Sequence, residues 1–399
     1  MTDHSVLTKC TLGRLLTMGG GAVLTLCLLG GCASSGPPAY TVAELSPLYL
    51  DDAVLTVVDV SERTSTPDLL ATTPAMKDWV RAYGGNRTNE KQRLVNLHQS
   101  VKSESMMGMQ YDPFGDGTAS EVFHRRTANC LAYANFFVAM AREAGLNARY
   151  QWLEVRPQWT RMGERVAVRL HVNVLVITRD GQQYMVDIDP LESRDITGSR
   201  TLKDADGAAL YHNNIAMTAL AEEDLETAWL NGAKALQLSP DMGHLWVNMG
   251  AIYRMSGQYD AAEKSYFRAL QLDSQDRSAM NNLVVLYDKM GREEEHNYWV
   301  ERVERYRTSN PYYHAWLGDK AGEAGDLEQA LGHYEQALAL RPDDSRLLYS
   351  VGIIHYKLDD FDSATVYIER AITEAKLRTD VDAYRLHLEA VRREQLAAH

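Results

Sequence analysis

Cys130 is the residue of this 399-residue sequence best placed for nucleophilic chemistry. Thr127 or Asn129 can cap a helix that begins beside it, and Gly145 can end that helix. The apolar residues between them recur at the spacing of one buried helix face: Leu131, Ala134, Phe137, Val138 and Ala141. Unpaired backbone N–H groups and the helix dipole favour a thiolate in a first turn. The position therefore predicts a reactive thiol at a helix N-terminus.

A cysteine nucleophile needs a base within hydrogen-bond reach and a further group that orients the base. Between residue 32 and the repeats described below, the candidate bases are three histidines: His98, His124 and His171. His171 lies in an apolar stretch, residues 170–177, with the composition of a strand, and the next predicted strand leads to Asp187. The alternatives are a buried structural cysteine and a zinc site that joins Cys130 to His124 or His171, although that spacing matches no common zinc motif.

The register of the hairpin between these two strands decides whether His171 and Asp187 can meet. A two-residue loop at 180–181 puts His171 and Asp187 on opposite faces. A three-residue loop at 179–181, with Gly181 in the left-handed conformation, puts them on the same face. His171 is then opposite Asp189 and diagonal to Asp187. The strand residues alone leave both carboxylates as candidates.

The elements that position these residues follow from local patterns. Thr73-Pro74 predicts a helix to about Tyr83, a second helix runs from about residue 89 to 103, and a capping box at Thr118 and Glu121 opens a short helix before Cys130. After Gly145 the pattern becomes extended, with strands at 148–155, 166–178 and 183–188 and a polar loop at 156–164. Residues 53–60 suit either a strand or a helix. Helices followed by antiparallel strands predict an α+β arrangement.

This order of features resembles the transglutaminase-like fold of papain-type cysteine enzymes, over residues 121–190. The resemblance rests on a cysteine that opens an apolar helix ending Ala-Arg-Glu-Ala-Gly, a histidine at a strand start and a hairpin that ends in Val-Asp. It implies Cys130 as the nucleophile, His171 as the base and Asp187 as the residue that holds the imidazole. Asp187 is preferred to Asp189 because the family's Asp follows an apolar pair, here Met185-Val186. It also implies hydrolysis of a peptide or amide bond rather than cross-linking.

Two positions depart from the family pattern. Ala128 replaces a glycine that is common two places before the cysteine, and Asn173 replaces the aromatic residue that often follows the histidine. These departures bear on the substrate class rather than on the fold.

A period of 34 residues begins at about Ala209 and continues to Leu377. With Gly243 as position 1, five units fit without an insertion, and small residues recur at positions 8, 20 and 27. The pattern resembles the tetratricopeptide repeat family. The third unit is the weakest, because His296 stands where a small residue is expected. The resemblance implies an all-α solenoid with a continuous core, closed by a capping helix within residues 378–399.

Asparagines occupy position 6 in the first three units: Asn214, Asn248 and Asn282. Their amides could bind the backbone of an extended peptide, but asparagine is also an ordinary repeat residue. Both interpretations stay open. Under either one, the repeats predict a protein or peptide partner.

The first 31 residues have the features of an export signal. Lys9 and Arg14 precede an apolar run at 15–29 that is too short and too interrupted for a membrane span. The run ends in Leu-Gly-Gly-Cys32, which resembles the lipobox of bacterial lipoproteins; an ordinary secretory signal is the alternative. The resemblance implies lipidation of Cys32, a tether at 32–39 and a place in the cell envelope. Ala33 favours the outer membrane, facing the periplasm.

The chain is acidic, with 41 basic and 54 acidic residues and a net charge of −13. Loss of residues 1–31, which hold two basic residues and one acidic residue, changes the charge to −14. This excess argues against a nucleic-acid partner. Cys10 and Cys27 leave with the signal and Cys32 is lipidated, so Cys130 is expected to be a free thiol in an oxidising compartment. No metal or cofactor is predicted.

The sequence thus predicts an α+β transglutaminase-like (papain-like) domain at residues 40–205, followed by an all-α tetratricopeptide solenoid at 209–377. The expected protein is an envelope lipoprotein that performs cysteine acyl transfer or hydrolysis and recruits a protein through its repeats. The alternative is a scaffold or assembly lipoprotein without catalytic activity, which binds partners through the repeats.

Overall fold

The computed structural model describes residues 40–84, 89–155, 171–191, 196–375 and 378–398. The predicted signal at 1–31, the tether at 32–39, the polar loop at 156–164 and the first part of the strand predicted at 166–178 lie outside these ranges. Within the described ranges, no helix combines the length and the apolar character that a bilayer crossing requires.

The first described residues pack on the repeats. After a short 3-10 turn (Val42–Glu44), strand β1 (Leu48–Tyr49) pairs with β2 (Val54–Leu55), and helix α1 (Val57–Arg63) follows. The stretch predicted as a strand or a helix contains both, because a capping box starts the helix directly after the strand. The backbone N–H of Tyr49 donates to Gln258 at 2.9 Å, and Arg63 forms an ion pair with Glu226.

Four helices form the next part of the chain, and each of them was predicted: α2 (Pro74–Tyr83), α3 (Glu90–Lys102), α4 (Ala119–Arg125) and α5 (Cys130–Glu143). The predicted capping box at Thr118 and Glu121 starts α4. Helix α5 is central, because every residue from Leu131 to Ala141 is buried. The prediction of a single buried face therefore understated its burial. Gly145, with φ +72°, ends the segment.

A four-stranded antiparallel sheet packs against α5, with the strand order β7-β6-β5-β8. Its strands are β5 (Asn147–Val155), β6 (His171–Ile177), β7 (Gln183–Val186) and β8 (Ile196–Leu202). The sequence predicted the first three. It missed β8, an edge strand in which only the two end residues are buried, so that the apolar alternation of a half-buried strand is lacking. The sequence also missed the parallel pair β3 (Gln110–Tyr111) and β4 (Thr127–Ala128).

The hairpin between β6 and β7 has the three-residue loop. Ile177 pairs with Gln183, the N–H of Thr178 donates to the carbonyl of Gln182 at 2.9 Å, and Gly181 has φ +80°. Of the two predicted registers, the one that puts His171 and Asp187 on the same face is therefore confirmed.

Five helix pairs and a final helix make up the rest of the chain. The first helices of the pairs are α6 (Asp204–Ala221), α8 (Gly243–Met255), α10 (Arg277–Met290), α12 (Pro311–Glu323) and α14 (Ser345–Lys357). The second helices are α7 (Leu225–Leu238), α9 (Tyr259–Leu272), α11 (Glu293–Ser309), α13 (Leu327–Leu340) and α15 (Phe361–Glu374), and α16 (Arg378–Ala398) ends the array. The second helices begin at intervals of 34 residues, which confirms five units without an insertion. Helix α6 begins five residues before the predicted start at 209.

The prediction of a continuous core along the solenoid was wrong. One apolar cluster extends from Leu45 to Val303 and joins the α+β part to the first three units, whereas two further clusters hold the remaining units and α16. The interruption follows the third unit. In that unit Val284, His296 and Val303 occupy the three positions that hold Ala or Gly in the other units.

Candidate active site

Cys130 is the first residue of α5 and is half-buried. The residue before it, Asn129, has an extended backbone, and its side-chain oxygen accepts a hydrogen bond from the N–H of Ala132 at 2.8 Å. Asn129 is therefore the capping residue, whereas the other candidate, Thr127, lies in β4. The thiol thus stands at the positive end of a buried helix dipole.

The structure brings Cys130, His171 and Asp187 together. The sulfur of Cys130 lies 3.6 Å from Nδ1 of His171, and Nε2 of the same ring hydrogen-bonds Oδ2 of Asp187. The histidine is 1% exposed and the aspartate 8% exposed. Asp189 donates its backbone N–H to Oδ1 of Asp187 at 3.2 Å, so it helps to hold the carboxylate that bonds the ring.

The electrostatics of this cluster favour a protonated imidazole. Burial alone lowers the pKa of His171, but the hydrogen bonds with Asp187 and Cys130, and the charges of both, outweigh burial and raise that pKa to about 9. The protonated ring faces the sulfur of Cys130 through Nδ1 and the carboxylate of Asp187 through Nε2. The geometry is that of a cysteine–histidine pair oriented by a carboxylate.

The other two candidate bases do not reach the thiol. His98 lies on α3, where its Nδ1 is 3.5 Å from the hydroxyl of Tyr133. Burial lowers its pKa to about 4, with help from Lys102 and against the charge of Asp187, so His98 is neutral at pH 7. His124 is exposed on α4, with its ring against Phe123.

A loop at residues 112–118, which was not predicted from the sequence, supports the start of α5. The N–H of Asn129 donates to Gly115 at 2.9 Å, and the side-chain amide of Asn135 donates to Gly117 at 3.0 Å. The carboxylate of Asp116 accepts hydrogen bonds from the side chains of Asn129 and Asn214, while burial raises its pKa. The stretch Asp-Pro-Phe-Gly-Asp-Gly was a turn signal that could have identified the loop.

The two departures from the family pattern lie in β4 and β6. Ala128 is fully buried in β4, and the α-carbon of Ala128 is 3.0 Å from where a Cβ on Gly115 would stand. Asn173 opposes Gln151 across β5 and β6. The amide oxygens of both are buried, and neither has a hydrogen-bond partner in the part of the chain that is described.

The prediction that Asn214 lines a groove together with Asn248 and Asn282 was wrong for Asn214. Asn214 bonds Asp116 instead, because α6 packs on the α+β part of the chain. Asn213 takes its place, and its side-chain oxygen accepts a hydrogen bond from Asn248 at 2.7 Å. Asn248 and Asn282 do line a groove, which is described below.

No group of three or more His, Cys, Asp or Glu residues is arranged to hold a metal ion in the described ranges.

Family models match two parts of the chain. The model described as transglutaminase-like superfamily matches residues 77–254. Two models for tetratricopeptide repeats match residues 245–276 and 322–359. The first match continues past residue 205 into α8, so it overlaps the repeats. The boundary at 205 stays a prediction.

Curated relatives match the chain in part. Anaphase-promoting complex subunit 3 of Schizosaccharomyces pombe is 26% identical over 189 residues, which are 45% of this chain and 26% of that protein. The human protein O-mannosyl-transferase TMTC1 is 39% identical over 62 residues, 16% of this chain and 7% of that protein. The chain thus spans about a quarter or less of the length of these relatives.

Among solved structures, pilF of Pseudomonas aeruginosa is 17% identical, with a TM-score of 0.25, and the match covers 49% of this chain and 100% of that chain. YrrB, described as a TPR protein with an unusual peptide-binding site, is 17% identical with a TM-score of 0.23, over 44% of this chain and 91% of that chain. MamA of Desulfovibrio magneticus is 17% identical with a TM-score of 0.24, and the match covers 42% of this chain and 94% of that chain.

Proposed function

Since the chain has a transglutaminase-like domain followed by tetratricopeptide repeats, we propose that it is a cysteine acyltransferase or hydrolase that acts on a peptide or amide bond. The observation that carries the proposal is the distance of 3.6 Å between Cys130 Sγ and His171 Nδ1, with Asp187 on the far side of the ring. The repeats recruit a protein partner or substrate to this site.

The proposed reaction begins with the thiolate of Cys130. It attacks the carbonyl carbon and forms a C–S bond, while the backbone N–H of Cys130 at the start of α5 stabilises the oxyanion. His171 gives its proton to the leaving amine as the C–N bond breaks, and an acyl-enzyme is left. Asp187 holds the imidazole in place throughout.

The second half of the reaction restores the enzyme. Water gives a proton to the neutral His171 and adds to the acyl carbon. The C–S bond then breaks, the thiolate is regenerated beside the imidazolium, and a carboxylic acid is released. An amine in place of water gives transfer instead, and we propose hydrolysis as the main outcome.

We further propose that a lipid on Cys32 anchors the protein in a bacterial outer membrane, facing the periplasm. The Leu-Gly-Gly-Cys32 sequence after an apolar run supports this part of the proposal. Labelling of cells with radioactive palmitate should mark the protein, and Cys32→Ser should abolish the label. Cys27→Ser, a matched change five residues earlier, should keep it; a label that survives Cys32→Ser would contradict the anchor.

The catalytic proposal is tested by the rate at which iodoacetamide alkylates Cys130, measured from pH 5 to pH 10. A form that starts at residue 33 carries Cys130 as its one cysteine. Alkylation at pH 6.5 should be within a few-fold of that at pH 8.5, because the proposed mechanism requires a thiolate beside the imidazolium. His171→Ala should slow the reaction at pH 6.5 about tenfold or more.

His124→Ala is the matched control, because this histidine is exposed and near Cys130 in sequence. It should leave the profile unchanged. A profile that rises only above pH 8 and does not respond to His171→Ala would contradict the enzyme. That outcome would favour the second candidate, a scaffold lipoprotein without catalytic activity, which the five helix pairs and α16 on their own support.

A further inference from the structure

A groove of about 770 Å³ lies where the sheet meets the solenoid. Its floor is formed by α6, α8 and α10, the first helices of the first three repeats, and residues of β5 and β8 form one wall. The groove therefore belongs to both parts of the chain.

Trp152 is the main residue of the sheet wall. The guanidinium of Arg200 lies over its ring at 5.2 Å, and the ring of His244 from α8 lies 4.7 Å away. Trp152 precedes Leu153, and Leu153 pairs with His171 across the strands. Successive side chains of a strand alternate between the two faces, so Trp152 lies on the face of β5 opposite to Leu153.

The floor has the chemistry that an extended backbone requires. Asn248 and Asn282 are half-buried and supply amides, and apolar residues such as Val247 and Ala251 lie beside them. Asn213 is buried and accepts a hydrogen bond from Asn248, so it supports the floor from below. Packed helices stand about 8–10 Å apart, so the three helices span about 20 Å. An extended chain covers this distance with about six residues, at roughly 3.3–3.6 Å each.

The groove carries an excess of negative charge. Glu154, Asp241, Asp273 and Asp276 face Arg200 and Arg254 within the lining. The guanidinium of Arg200 is stacked on Trp152. Burial, with help from Arg200, lowers the pKa of His244 to about 3, so this ring adds no positive charge at pH 7. Asp241 and Asp273 are exposed at the edge, where they can meet a ligand.

We propose that this groove binds an extended peptide segment of about six residues with lysine or arginine at its centre. The amides of Asn248 and Asn282 bind the backbone, and the four carboxylates attract the basic side chain. The inference rests on the proposed function only in that the solenoid binds polypeptide, and it adds the class of sequence that is bound. It also makes the sheet a part of the binding site.

The test is fluorescence anisotropy with two labelled decapeptides of Ala, Leu and Gly that differ only in three central lysines or three central glutamates. The protein is the full chain with Cys130→Ser, so that the peptide is not consumed. The lysine peptide should bind at least tenfold more tightly than the glutamate peptide. Asp241→Asn combined with Asp273→Asn should raise the Kd of the lysine peptide about three- to tenfold.

An acidic protein attracts basic peptides in general, so the control removes the same charge elsewhere. Asp260→Asn combined with Glu301→Gln changes two exposed carboxylates outside the groove and should leave the Kd within a factor of two. Arg200→Gln removes a positive charge from the sheet wall and should tighten the lysine peptide about twofold or more. Equal binding of both peptides, or equal effects of the two double variants, would overturn the proposal.

The binding assay uses no thiol, and the alkylation assay uses no peptide. A failure of peptide binding therefore leaves the Cys130–His171 result intact, and a failure of alkylation leaves the groove intact.

Discussion

His171 hydrogen-bonds two groups that can carry negative charge, and its ring is almost fully buried. Its folded-state pKa of about 9 lies above the ordinary value of 6.5, so the native state holds the proton more tightly than the unfolded chain does. The stabilisation is therefore fully present below pH 6.5 and is lost as the pH rises through 9. The proton that serves the proposed chemistry also contributes to the stability of the fold.

This linkage predicts a pH dependence of unfolding. The free energy of unfolding in urea should fall between pH 6.5 and pH 9 by roughly 2 to 3 kcal/mol more in the natural protein than in His171→Gln. His124→Gln, at an exposed site, should keep the natural slope. Identical slopes in the natural protein and in His171→Gln would show that the imidazolium is not stabilised in the folded state.

The order Cys, His, Asp along the chain was enough to identify the candidate site, because each of these residues lies at the end of an element with a clear pattern. The length of one loop decided whether either carboxylate could reach His171, and the left-handed Gly181 belongs to the three-residue loop that allows it. The choice of Asp187 over Asp189 is made by the hydrogen bond to His171 Nε2, which the register alone does not predict. Asp116 could not be predicted from the sequence. Its partner Asn214 is about 100 residues away, and the contact exists only because α6 packs on the loop at 112–118.

At the scale of the helix pair, glycine determines how closely two helices approach. A Cβ on Gly318 of α12 would lie 2.8 Å from the ring of Tyr334 and 3.2 Å from the carbonyl oxygen of Ala330, both on α13. Gly332, also on α13, has nothing within 4 Å of its would-be Cβ. These two glycines belong to the same helix pair, but only Gly318 lies where a side chain would collide with the facing helix.

Alanine at the two positions should therefore have opposite effects. Gly318→Ala should lower the free energy of unfolding by about 1–3 kcal/mol through overpacking. Gly332→Ala should raise it by up to about 1 kcal/mol, because alanine favours the helix more than glycine does. Thermal melts followed by circular dichroism can compare the two variants. A Gly318→Ala protein as stable as Gly332→Ala would contradict the close approach.

The repeat elements could be predicted closely because a 34-residue period fixes where each helix begins, as Leu225 and Phe361 show. Strand β8 could not, because an edge strand with an exposed middle has the pattern of a loop. The first turn of α6 could not be predicted from the repeat period, because its residues precede the first repeat. The bidentate pair of Arg142 and Asp204, at 2.7 and 2.8 Å, joins this turn to α5.

At the scale of the whole molecule, the apolar core does not divide where the two family resemblances meet. Its largest cluster runs from Leu45 to Val303, and the next begins at Tyr312. The Arg142–Asp204 pair and the contact of Tyr150 with Gly207 lie within this shared region. The sequence predicted a boundary near residue 205 because the 34-residue period begins at about Ala209, but packing crosses that point.

Truncated proteins should show whether the α+β part needs the first three repeats in order to fold. A protein of residues 40–310 should keep a cooperative thermal transition and its alkylation profile, because the cut falls between two clusters. A protein of residues 40–205 should lose both, since it leaves the apolar surface that faces α6 and α8 exposed. Circular dichroism and iodoacetamide labelling can follow both forms. A stable, reactive 40–205 protein would show that the α+β part folds alone.

The shared cluster also determines when the protein can fold during synthesis. Ser46 and Tyr49 hydrogen-bond Tyr253 and Gln258 of the second repeat, and the apolar cluster that begins at Leu45 ends only at Val303 of the third repeat. Until then the growing chain exposes apolar surface, a state in which proteins aggregate. Such distant contacts also slow folding, because the loop that joins them must close first. A chain released before about residue 300 should therefore depend on chaperones, whereas one released after that point should fold without the last two repeats.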